Sequence, residues 1–154
     1  MKRFVGHKEA AGLQIETSRI KEFRLAVNAH AADVLGPDDL RPRLWLDGPL
    51  AFSELNEQVM SEFARLAPFG PGNPKPRFHT GHVSVVDGPR ILKERHMKMT
   101  MKQNGKILRA IQWNAAEHAG ALTAKKDGVE IAYTVEENEY MGNKYVELRL
   151  EDFR

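Results

Sequence analysis

The 154-residue sequence contains no cysteine, which excludes disulfides, cysteine-ligated zinc, iron–sulfur clusters and thiol chemistry. No apolar run approaches the roughly 20 residues that span a bilayer. The first residues, MKRFVGHKEA, are basic but lack the apolar stretch and cleavage site of a signal peptide. Together these absences lead to the expectation of a cytoplasmic protein without membrane attachment. There is no P-loop, no Rossmann glycine fingerprint and no Ser-His-Asp constellation. The six histidines are scattered. His79 and His82, three apart in an extended segment, point to opposite sides, and no carboxylate cluster stands at ligand spacing, so no metal site is expected. The carboxylates of EENE, residues 136–139, read as a charged strand end before a hairpin.

What is present suits one ordinary globular domain with a small attachment: 42% of residues are apolar and 29% charged. The net charge of +2 conceals a strong pattern. Residues 71–110 carry nine basic side chains (Lys75, Arg77, Arg90, Lys93, Arg95, Lys98, Lys102, Lys106 and Arg109) against Asp87 and Glu94, whereas residues 111–154 carry five basic and nine acidic ones. The basic block is either a polyanion-binding surface or a solvated sheet face paired with the acidic C-terminal strands.

Residues 13–16 read as a short strand. A helix follows from Thr17 or Ser18, which can cap it, to Gly36-Pro37, with Ile20, Phe23, Val27 and Val34 as its apolar stripe. His30 lies beside that stripe as an ordinary helix histidine. Residues 43–48, RLWLDG, alternate like a strand, and Ser53 can cap a second helix over 54–66. APFGPGNPKPRF, residues 67–78, cannot continue it. From there the period becomes two. Segments 77–88, 96–103, 107–114, 129–140 and 144–153 are five expected strands, with Asn104-Gly105 and Gly142-Asn143 as hairpin signals and Asp87-Gly88-Pro89 as a separator. The expected class is α+β and mainly β: a five-stranded OB-fold-like barrel preceded by two helices, with a helix in the longer 115–128 connection.

The second strand of this barrel carries most information. Met97, Met99 and Met101 share one face and suit an irregular core. Lys98 and Lys102 then share the outer face, with Arg90, Lys93 and Arg95 in the preceding loop. On the third strand Arg109 and Trp113 share parity with Ile107 and Ile111, so Trp113 fits either the core or a platform for stacked bases. Tyr140, beside the last hairpin, is a second candidate for stacking. Near the N-terminus Gly6-His7, followed by the small residues Ala10-Ala11-Gly12, has the character of a peptide that approaches a phosphate or a metal.

GHKEAAGLQI, LAPFGPGNPKPRF, RHMKMTMKQNGKILRAIQWN and VEIAYTVEENEYMGNKYVELRLEDF, in this order, resemble the C-terminal end of the RecJ-type single-strand-specific exonucleases of the DHH phosphoesterase superfamily. The resemblance covers nearly the whole chain. It implies a tail of the DHH-associated domain over 1–16, a helical connector over 17–66, a linker over 67–76 and an OB-fold over 77–154. It implies that Gly6 and His7 end a Gly-Gly-His element facing substrate phosphates, although Val5 replaces the first glycine. It also implies a 5′-to-3′ exonuclease of DNA repair and recombination that uses Mn²⁺ or Mg²⁺ in an N-terminal DHH domain. The chain has no Asp-His-His and no room for that domain, so it is expected to act as a single-stranded DNA-binding module that does not hydrolyse DNA alone. The expected partners are single-stranded DNA, the DHH catalytic domain and, in a docking alternative, a single-strand-binding protein.

Overall fold

The computed structural model describes residues 3–6 and 10–154. The chain divides into two units, Met1–Leu44 and Trp45–Arg154.

In the first unit, β1 (Arg3–Gly6) and β2 (Ala11–Gln14) pair antiparallel. β2 lies two residues earlier than the alternation of 13–16 suggests, because it takes its register from β1. Thr17–Arg19 form a 3₁₀ turn and Ile20–Val34 form α1, stopping before Gly36-Pro37. Neither Thr17 nor Ser18 caps it through its side chain. The expected buried stripe is not buried: Ile20, Val27 and Val34 are exposed and Phe23 is half-buried. A two-stranded hairpin and one helix offer too little apolar surface to enclose a helix face.

The second unit is the barrel. RLWLDG does not form the expected strand; the flanking Pro42 and Pro49 have no N–H, which limits how far a ladder can extend on either side. Only β3 (Gly48–Pro49) pairs there, parallel to Phe78–His79. Ser53 belongs to a 3₁₀ turn, Phe52–Glu54. The cap of α2 (Glu57–Arg65) is therefore Asn56, whose Oδ1 accepts from the Val59 N–H at 3.0 Å. Residues 50–60 are not a connector but part of the core. Leu50, Phe52, Leu55 and Met60 join one apolar cluster with the barrel interior. Polar bonds hold them there: the Tyr133 hydroxyl donates to the Leu50 carbonyl (2.7 Å), the Phe52 N–H to Gln103 (2.8 Å) and Lys106 to the Leu55 carbonyl (2.6 Å). Burial raises the Tyr133 hydroxyl to about 12, so it remains a donor.

Five strands make the barrel: β4 (Phe78–Leu92), β5 (His96–Gln103), β6 (Lys106–Gln112), β7 (Val129–Tyr140) and β8 (Asn143–Phe153). Their order is β4-β5-β6-β8-β7, closed by β7 on β4, with β6 and β8 parallel. Between β6 and β7 the expected helix is α3 (Ala119–Ala124), whose Leu122 is fully buried.

Asp87-Gly88-Pro89 does not end β4. It forms a bulge inside the strand, with register shifts between Val85, Asp87 and Arg90. Gly88 has φ +89°, and a Cβ there would stand 2.9 Å from the Lys98 carbonyl oxygen. Only glycine allows that approach. The turn falls later, at Lys93-Glu94, both at positive φ (49° and 57°), with the Arg95 N–H bonded to the Leu92 carbonyl. This is the pattern of a type I′ turn, built without glycine or asparagine. Asn104-Gly105 makes the β5–β6 turn as expected. At β7–β8 the central residues are Met141-Gly142, one position before the expected Gly142-Asn143.

Candidate nucleic-acid interface

Alternation sets the interface. Met97, Met99 and Met101 point inward and are buried, opposite Gln112, Ala110 and Leu108 of β6. The complementary parity therefore faces outward on both strands: His96, Lys98, Thr100 and Lys102 on β5; Ile107, Arg109, Ile111 and Trp113 at and beyond β6. Of the two readings that parity allowed for Trp113, the outer one holds; the ring is 47% exposed. Ile107 is exposed with it, and Ile111 is covered by its neighbours without joining the core cluster.

Register aligns this face across strands. Lys98 lies opposite Arg90 on β4 and Ile111 on β6; Arg109 lies opposite Thr100 on β5 and Glu147 on β8. At the β4–β5 end, His96 and Trp113 meet edge to face at 4.5 Å, and His96 Nδ1 accepts from the Asn114 N–H at 3.0 Å, which holds the imidazole beside the indole. In the middle, the Arg109 guanidinium stands over the Tyr145 ring, 5.4 Å from its centroid. Tyr145 also lines an open groove of about 1080 Å³ between α2 and the β7–β8 hairpin.

The basic block divides between its two readings. Lys75 pairs with Glu136 (2.9 Å), Arg77 with Glu151 (2.8 Å) and Lys98 with Glu147 (3.4 Å), all acids of the C-terminal strands. Arg90 pairs locally with Asp87, and Lys106 is held by the Leu55 carbonyl. Lys93, Arg95 and Lys102 are exposed and carry no ion pair among the described residues, and Arg109 has only its tyrosine. Four cations therefore remain available: two in the β4–β5 turn and two on the strands. Sequence reasoning missed Tyr145 and Arg149, which join the face only because β8 runs parallel beside β6.

The other candidate residues do not belong to β5 or β6. Tyr140, 67% exposed, and Met141, 83% exposed, stand at the β7–β8 tip. Gly6 closes β1 opposite Ala11 in the first unit. His7 lies outside the described residues. Among the described residues no group of three or more histidines and carboxylates could hold a metal ion. Among the described residues no helix is long and apolar enough to cross a membrane.

Residues 46–152 match the family model described as the RecJ OB domain. The chain belongs to this family. Over 95% of its length it is 32% identical to the single-stranded-DNA-specific exonuclease RecJ of Haemophilus influenzae, covering 26% of that protein. Over 99% it is 32% identical to the RecJ of Thermus thermophilus, covering 21%. The crystal structure of the Thermus thermophilus RecJ in complex with Mn²⁺ superposes with a TM-score of 0.77 at 30% identity, over 99% of this chain and 22% of that one. The chain thus spans about a quarter of the length of the curated relatives it matches. The five-stranded barrel closed by β7 on β4 is this OB domain.

Proposed function

We propose that this OB domain holds single-stranded DNA across the outer face of β5, β6 and β8, as the strand-binding part of a 5′-to-3′ single-stranded-DNA exonuclease acting in repair and recombination. One observation carries the reading. Among the described residues Lys93, Arg95, Lys102 and Arg109 have no anionic partner, and they share the surface that carries the exposed Trp113 and the half-buried Tyr145. Cations beside aromatic rings are what a single strand requires. The phosphates are neutralised and the bases stack on aromatic faces, with little sequence preference. The naming of the relatives as single-stranded-DNA-specific exonucleases supports the same reading.

The phosphodiester chemistry is assigned to a DHH domain using Mn²⁺ or Mg²⁺. Two-metal hydrolysis needs several carboxylates and histidines around ions a few ångströms apart. The described residues offer no such set, so no hydrolytic step is given to them. A cytoplasmic location belongs to the same proposal.

A second reading, docking to a single-strand-binding protein, rests on the β7–β8 hairpin. Glu136, Glu137 and Glu139 precede a tip of exposed Tyr140 and Met141, a surface that repels DNA and suits a protein. Charge reversal separates the two. Lys102→Glu with Arg109→Glu abolishes oligonucleotide binding under the first reading and leaves it unchanged under the second. Tyr140→Ala with Met141→Ala has the converse effect on a pull-down with single-strand-binding protein.

A further inference from the structure

We infer that Glu147 is a built-in brake on the DNA face, a carboxylate that sequesters Lys98 and limits how tightly a strand is held. The inference rests on the single-stranded DNA reading.

Glu147 lies at the centre of the face and is only 8% exposed, yet its parity on β8 is outward. Its Oε2 accepts from Asn138 Nδ2 at 3.0 Å. Its Oε1 has no hydrogen bond and lies 3.4 Å from Lys98 Nζ. The flanking groups do not relieve it. Glu136, its cross-strand neighbour on β7, is itself anionic and is occupied by Lys75 and Arg149. Arg109, its neighbour on β6, is turned over Tyr145. Among the described residues Glu147 thus has one cation, loosely held, and Lys98 is the β5 cation whose charge is cancelled on the spot.

A phosphate arriving over β5 must compete with Glu147 for Lys98. If it takes the lysine, the carboxylate is left buried and unpaired beside a second anion, a costly arrangement. Glu147 therefore keeps Lys98 out of the phosphate-binding set, and four cations rather than five act on the strand. A DNA strand shortened from one end has to slide past the protein that holds it, and a weaker hold favours sliding.

The test is titration of fluorescent oligo-dT with the chain and its Glu147→Gln variant at several salt concentrations, each protein first shown to be folded by circular dichroism. The variant is expected to bind about three- to tenfold more tightly at low salt, with a log–log salt slope steeper by about 0.7, the increment of one further phosphate. Both gains are expected to vanish in the Lys98→Ala background. Asp33→Asn, which removes one exposed carboxylate from α1 of the first unit, controls for net charge and is expected to change neither quantity. Glu147→Asp, which shortens the reach to Lys98 and keeps the charge, is expected to fall between the two. A folded Glu147→Gln variant with unchanged or weaker affinity and the same slope overturns the brake while leaving the DNA reading intact. Failure of both proteins to bind at low salt overturns both.

Discussion

The guanidinium of Arg109 rests over the ring of Tyr145, 5.4 Å from its centroid, and joins β6 to β8 across the outer face of the barrel. The pair combines a free cation with a half-buried ring. Arg109→Gln is expected to make the salt dependence of oligo-dT binding shallower by about 0.7 in log–log slope, the increment of one phosphate. Tyr145→Leu is expected to lower affinity with the slope unchanged. Anisotropy titrations at three or more salt concentrations measure both.

Trp113 reports on the strand directly. Its exposed indole is expected to stack on a base, a contact of about 1–3 kcal/mol, so Trp113→Ala weakens binding accordingly. The other tryptophan, Trp45, is also exposed and is removed by Trp45→Phe for a fluorescence measurement. Oligo-dT is then expected to quench the remaining emission; an unquenched signal at saturation places the indole off the DNA path.

The β4–β5 turn separates stability from binding. Lys93 and Glu94 both occupy the left-handed region, a cost that Asn-Gly avoids. The double change Lys93→Asn, Glu94→Gly is expected to raise stability by roughly 1 kcal/mol, seen as a higher Tm, and Lys93→Asn alone to weaken oligonucleotide binding by loss of one free cation.

Gly88 carries the opposite expectation. Gly88→Ala forces a Cβ to 2.9 Å from the Lys98 carbonyl at φ +89° and is expected to destabilise by roughly 1–3 kcal/mol. Denaturant unfolding measures it, and a neutral result would mean that the bulge relaxes freely.

Tyr133 gives an alkaline signature. Its hydroxyl, raised from 10 to about 12 by burial, binds its proton more tightly in the folded chain than in the unfolded one. Stability from this group is complete below pH 10 and is lost as the pH rises from 10 through 12. Tyr133→Phe leaves Thr80 bonded to the Leu50 carbonyl and is expected to cost about 1 kcal/mol at neutral pH. It also flattens the decline of stability above pH 10, measured by urea unfolding.

The barrel was legible in the sequence because its signals are local. The methionine alternation of β5 placed three side chains in the core and two lysines outside, and Asn104-Gly105 marked its hairpin. The bulge at Gly88 was not legible, since Asp-Gly-Pro signals a turn unless the partner strand is known. The Lys98–Glu147 pair was hidden as well, because it depends on the non-local register of β8 against β6. Trp113 was ambiguous for a physical reason: Ile107 and Ile111, which suggest a core, share its parity and lie on the outer face. Burial of Leu50, Phe52 and Leu55 likewise depended on bonds to Thr80, Gln103 and Lys106, between 30 and 51 residues away.

The salt dependence of single-strand binding tests the central claim most directly. With Lys93, Arg95, Lys102 and Arg109 neutralising about four phosphates, the affinity for oligo-dT is expected to fall with a log–log slope near −3, from about 0.7 per phosphate. No binding at low salt, or binding indifferent to salt, would contradict it.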